Sequence, residues 1–334
     1  MEKILFGRLP SGEAVHLYTL RNDVLTVRVM DYGCRLQSVF FDGRDVIGGF
    51  DTLDGYLADN SWQGAFIGRV ANRIRDARFD LNGKTYRLTP TPGQNGNHLH
   101  GSFGISMWEV KEAHNTRITL FRKSPASEEG YPGDMEITVT YELSGASLLM
   151  YYYATANADT PASFTNHSYF NIDGIGSGSV LSHEMKLHAD KITLVNESLI
   201  PTGEHRSVAG TAYDFAEFRP IGSRLDENVT GYDTNFFLTQ NAPLAVGGRT
   251  VYAAASVRSA SYQVDCYTDM PCIQIYTANF LGNGPDFKYG VKQKKQHAIC
   301  LETQFEPDCV NRGEHILRAG EAYDHLTVYT FRHR

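Results

Sequence analysis

Cysteine is scarce in this chain. Five residues in 334 (Cys34, Cys266, Cys272, Cys300, Cys309) are odd in number and lack the paired spacing of a zinc site or a disulfide framework. A reducing compartment is implied, so a cytoplasmic protein is expected. Long apolar runs are missing too. The stretch Met1–Arg8 is too short in apolar residues for a signal peptide, and no other segment could span a bilayer as a helix. No membrane partner is expected, and without secretion the sequons at Asn166, Asn196 and Asn228 carry no weight. Positive charge is in deficit, 31 Lys and Arg against 38 Asp and Glu, for a net charge of −7. That balance disfavours nucleic acid as a partner. Helical periodicity is nearly absent; Gly49–Leu57 and Ser223–Asn228 could each hold a turn or two.

Tyrosine and phenylalanine are plentiful, 19 and 18 residues, and such a composition favours sheet. Met135, Ile137, Val139, Tyr141 and Leu143 alternate strictly with Glu136, Thr138, Thr140 and Glu142, which predicts an antiparallel strand with one wet face. Val24–Met30, Arg117–Phe121, Leu148–Thr155, Ala253–Val257, Cys272–Thr277, Ile299–Phe305 and Thr327–Phe331 read as further strands. Turn dipeptides such as Asp42-Gly43, Asn82-Gly83 and Pro132-Gly133 punctuate them. The fold class is all-β, a large antiparallel sandwich, with a barrel as the open alternative. No linker or repeat divides residues 1–334, so a single domain is expected.

Familiar cofactor signatures fail. Gly83-Lys84-Thr85 lacks the first glycine of a P-loop, Arg78 standing in its place, and the glycines around Gly176 fit no dinucleotide fingerprint or nucleophile elbow. What remains is a scattered polar set. Ser163–Asn171 reads as one strand, with Ser163, Thr165, His167 and Tyr169 on one face and Phe164 and Phe170 on the other. His167 beside hydroxyls suits proton transfer near neutral pH, although a lone histidine is more often a satisfied core residue. Asn72 and Arg73 offer an amide and a donor fork suited to sugar hydroxyls; a solvated basic loop is the plain alternative. His98-Leu99-His100 would put two imidazoles on one strand face, a possible metal pair, but nothing nearby in sequence completes a set. His100 followed by Gly101 more simply marks a polar residue where backbones approach closely. Asp233 sits in an aromatic loop, and Gln274 faces away from Ile273 and Ile275. Glu302 breaks the propensity of an otherwise well-patterned strand, and a local rule broken inside a consistent pattern is where function is expected.

Seven stretches, in order, resemble the aldose 1-epimerase (galactose mutarotase) family: Gly68–Ile74, Leu99-His100-Gly101, Glu129–Gly133, Thr165–Asn171, Gly231-Tyr232-Asp233, Gln274–Thr277 and Cys300–Asp308. The resemblance implies a β-supersandwich fold, Glu302 as general base and His167 as general acid. It further implies sugar-holding roles for Asn72, Arg73, His100, Asp233 and Gln274. It implies no cofactor and no metal, and a small free sugar as the partner, with the chain a monomer or homodimer. Two departures, Ser102 where the family carries a second glycine and a short connection to Trp108, put one rim of the site in question. Competing readings are a glycoside hydrolase using Asp233 and Glu302, a non-catalytic sugar-binding module, and a variant acting on hexose phosphates.

Overall fold

The computed structural model describes residues 1–225 and 229–334. The strongest alternation in the sequence, Met135–Leu143, becomes the strand Met135–Ser144, paired antiparallel with Ser147–Ala156 from Met135 opposite Ala156 to Ser144 opposite Ser147. The turn between them opens on Gly145 at φ 55°, where a glycine pays no steric cost. These strands lie in a ten-stranded sheet that continues through Ala322–His333, Tyr262–Thr268, Arg249–Arg258 and Glu184–Leu187. A six-stranded sheet runs in the order Tyr169–Phe170, Ile299–Gln304, Cys272–Tyr276, Asp233–Leu238, Ala189–Val195, Pro201–Ser207. A five-stranded sheet holds the first five strands, from Glu2–Arg8 to Arg44–Asp45.

The main core lies where these sheets face one another. Ile273, Ile275, Ile299 and Leu301, from one face of the six-stranded sheet, share a buried cluster with Val139, Met150, Val264 and Tyr329. The Tyr329 hydroxyl donates to the Leu301 carbonyl at 2.7 Å, tying the layers together. Burying each aliphatic side chain contributes about 1.5–3 kcal/mol, so this face cannot be turned outward cheaply. The opposite face of the same strands is left for polar residues. Register then aligns them: Asn235 is opposite Gln274 and Gln274 is opposite Glu302, while Asp233, Tyr276 and Cys300 form the adjacent row.

Two expectations need correction. Ser163–Asn171 is not one strand. Thr165–Asn166 pairs with Phe66–Ile67, whereas Tyr169–Phe170 pairs with Cys300 and Ile299, so the segment passes from one sheet to another with His167 and Ser168 between. Its one-sided face dissolves accordingly: Ser163 accepts from Phe305 N, while His167 and Tyr169 face a cavity. The helical turns hold in part. Leu53–Ala58 is a short helix capped by Thr52, whose hydroxyl accepts from Gly55 N. Around Ser223 there is only the 3₁₀ turn Ile221–Arg224, followed by extended Leu225, and residues 226–228, with Asn228 of the sequon, lie outside the described residues. Among the described residues, no helix is long and apolar enough to cross a membrane.

Candidate active site

The polar face of the six-stranded sheet floors a cavity of about 660 Å³. All seven residues singled out from the sequence, Asn72, Arg73, His100, His167, Asp233, Gln274 and Glu302, line it, although they span 231 positions of the chain (302 less 72, counted inclusively).

Loop geometry brings in the first three. Asn72 and His100 both sit at positive φ, 65° and 64°. The Asn72 carbonyl accepts from His100 N, and His100 Nδ1 accepts from Asn72 N at 3.2 Å. Gly101, at φ 67°, lies so close to Gly68 that an added Cβ would sit 2.3 Å from its carbonyl oxygen. The close approach expected of Leu99-His100-Gly101 is therefore met, and it fixes where the His100 ring points. His98 behaves otherwise. The strand ends at Leu99, the His98 ring bonds Thr89 O through Nδ1 at 2.7 Å, and it lies outside the cavity. The two imidazoles do not share a face, which corrects the His-x-His pairing. Ser102 donates its backbone N–H to Glu129 and is not among the cavity's lining residues, so that departure leaves the wall intact.

His167 Nε2 stands 3.7 Å from Glu302 Oε2, and both side chains are buried. Burial pushes the His167 pKa down to about 3, and it holds Glu302 well above the usual carboxylate range, reinforced by the charge of Asp233 and opposed by Arg73. His100 is likewise pushed well down, by burial first and then by His167 and Arg73. Asp233 is raised by burial, against the pull of Arg73 and a 2.7 Å hydrogen bond from Gln274 Nε2. The other end of that amide, Gln274 Oε1, is buried without a hydrogen-bond partner, an acceptor left free for a hydroxyl donor.

His100, His167 and Glu302 also offer ligand atoms within 4.8 Å of one another. Sequence spacing gave no hint of this, because the completing residues are far away in the chain. The donor set suits a metal poorly. Neutral His100 accepts at Nδ1, so its proton is on Nε2 and no lone pair faces the cavity; Arg73 adds a cation to the same wall.

Of the aromatic walls, the sequence reading placed only Tyr169, on the face of His167. Trp62 meets the His100 ring edge-on at 4.7 Å, Tyr169 stacks on His167 at 5.0 Å, and Tyr276 and Phe280 close another side. Strand alternation could also have found Tyr276, two residues after Gln274. Trp62 lies in a loop, for which no such rule exists. Arg69, by contrast, is not in the cavity. It is 1% exposed and donates to Ser124, Pro125, Pro132 and Thr160, holding the loops behind the site.

A buried imidazole beside a buried carboxyl, in an amide- and aromatic-lined cavity on a β-supersandwich, suits an enzyme that converts carbohydrates. The aldose 1-epimerase family profile matches residues 16–330. Galactose mutarotase from Mus musculus is 39% identical over 98% of both chains, and aldose 1-epimerase from Escherichia coli is 33% identical over 96% of both. The crystal structure of an aldose epimerase homologue from C. elegans superposes with a TM-score of 0.86 at 28% identity, covering 96% of this chain and 99% of that one. The chain belongs to the aldose 1-epimerase family.

Proposed function

We propose that this enzyme interconverts the α and β anomers of a free hexose such as galactose or glucose, with Glu302 as base and His167 as acid. The observation that carries the reading is the 3.7 Å approach of a buried imidazole to a buried carboxyl inside a sugar-sized cavity. A pyranose opens when O1 loses a proton, the C1–O5 bond breaks and O5 gains a proton. Glu302 takes the first proton and His167 supplies the second. Rotation about C1–C2 presents the other carbonyl face, and the protons return by the reverse transfers. The cycle needs one proton on the pair. Burial favours that proton on Glu302 beside a neutral imidazole. Sugar hydroxyls donating to Glu302, with Arg73 across the cavity, favour the carboxylate and move it to His167. Asn72, Arg73, His100, Asp233 and Gln274 hold the hydroxyls: Nε2–H of His100 and the Arg73 guanidinium donate, Asp233 and Gln274 Oε1 accept. Trp62 and Tyr276 cover apolar ring faces. Because the contributing residues come from across the chain, residues 1–334 act as one functional domain.

Polarimetry or proton NMR on freshly dissolved α-anomers tests this. Glu302→Gln and His167→Gln should each slow interconversion at least ~100-fold, the lower end of what a positioned acid or base contributes, with urea midpoints showing an intact fold. Parent-like rates in either variant overturn the assignment. A hydrolase would instead cleave glycosides and depend on Asp233.

A further inference from the structure

We infer that Tyr169 is a positioning residue for Trp62: its hydroxyl, by bonding the Ser61 carbonyl, holds the peptide that aims the indole into the cavity. The inference rests on the proposed roles of Trp62, as a cover for an apolar face of the sugar, and of His167, as the acid.

Trp62 depends on its backbone for its place. Its φ is 55°, in the left-handed region, which a bulky side chain keeps only where the surroundings over-determine it. The chain after it is well fastened. Arg35 Nη1 donates to the Gln63 carbonyl at 2.8 Å; Gly64 N donates to the His167 carbonyl and His167 N to the Ala65 carbonyl, both at 2.9 Å. The chain before it is tied to itself. Ser61 N and Oγ donate to Asp59, and the Gln63 amide donates to Ser61 Oγ, all within one loop. Among the described residues, the Tyr169 hydroxyl is the group from outside this loop that bonds Ser61, donating to its carbonyl at 2.8 Å. That carbonyl shares a planar peptide with Trp62 N, so fixing it restricts the φ of Trp62.

Tyr169 is itself held firmly. It is buried, and its strand pairs with Ile299–Gln304, with Tyr169 opposite Cys300. Burial, first among the causes, keeps its phenol pKa well above the usual range, so the hydroxyl remains a donor at neutral pH. Its ring stacks on His167 at 5.0 Å and 21°. One stiff side chain thus sets the spacing between the imidazole and the indole, whose ring centroids are 6.4 Å apart. A loosened indole would weaken its hold on the sugar in ground and transition state alike, which registers in KM.

Tyr169→Phe keeps the stacked ring and deletes the hydroxyl. It should make Trp62 more accessible to acrylamide quenching, with no such change when the substitution is made in Trp62→Phe. KM for galactose or glucose should rise roughly 5-fold, the factor that the net worth of one hydrogen bond gives, with kcat lowered less than about 2-fold. In a Trp62→Ala background the same substitution should leave KM where Trp62→Ala alone puts it, as expected of residues that act through one another. A KM rise that persists in full in that background, or a loss confined to kcat, assigns the hydroxyl to His167 or to the sheet and overturns the inference. So does parent-like quenching in Tyr169→Phe. Time-resolved anisotropy of the parent needs no change at Tyr169: a fast component from Trp62, recognised by its loss in Trp62→Phe, means an indole already free and also overturns it. The fluorescence arms need no turnover, so an absence of anomer exchange in the parent counts against the proposed function alone.

Discussion

The depressed pKa of His167 should be visible in folding stability. Below its ordinary value of 6.5 an unfolded histidine takes up a proton, while the folded one, held near 3, does not. The unfolded state then binds more protons, so stability falls as pH drops from 6.5 toward 3. Between pH 7 and pH 5 the loss from this one group works out at about 2 kcal/mol, at about 1.4 kcal/mol per pH unit below 6.5. Any folded value below about 4 gives the same figure, because at pH 5 the folded ring is then neutral throughout. Glu302 has the opposite sign. Its raised carboxyl binds a proton in the folded state first, so it gains stability as pH falls from its folded value toward its ordinary one. The comparison is therefore best made in a Glu302→Gln background, where the carboxyl no longer titrates. Urea unfolding of Glu302→Gln and of Glu302→Gln with His167→Gln, each at pH 7 and pH 5, isolates the imidazole. The first should lose about 2 kcal/mol more than the second on acidification. Equal losses would show that His167 titrates normally and is not held neutral by burial.

Two further outcomes follow from particular residues. Trp62 lines the cavity while Trp108, the chain's other tryptophan, is buried in the core. Saturating galactose or glucose should change the intrinsic fluorescence of the parent and leave Trp62→Phe unresponsive; a response surviving in the variant would place the sugar elsewhere. Arg69→Lys keeps the charge but loses the fork that reaches Ser124, Pro125, Pro132 and Thr160, each hydrogen bond to a charged group being worth ~1.5–3 kcal/mol. A loss of roughly 3 kcal/mol is expected in urea unfolding, and a change under about 1 kcal/mol would show that the loops hold without it.

Much of this was legible in the sequence where a period exists to be read. Period-two alternation located the central strands, and the misplaced acid at Glu302 and the inward amide at Gln274 stood out against it. Arg73 was singled out beside Asn72, but the part Arg69 plays behind the site was not, because Arg69 sits in an irregular loop where no period says which way a side chain turns. The passage of Ser163–Asn171 between two sheets was invisible for a related reason: which strand a segment pairs with is a long-range fact, and local alternation is the same whichever partner it takes. The resemblance to the family brought the scattered motifs together, but only coordinates show that His100 has no lone pair to offer, or that the Tyr169 hydroxyl reaches the peptide before Trp62.

The alignment of Asn235, Gln274 and Glu302 across three adjacent strands has an evolutionary corollary. A slip of one residue between these strands would drive the carboxyl in among Ile273, Ile275 and Leu301 and expose aliphatic side chains in its place. Insertions and deletions here would be lost twice over, to misfolding and to inactivity. Heritable variation is thereby channelled toward the rim, where Trp62 and Phe280 stand on loops, and a descendant acquiring a taste for a different sugar would be expected to differ there first.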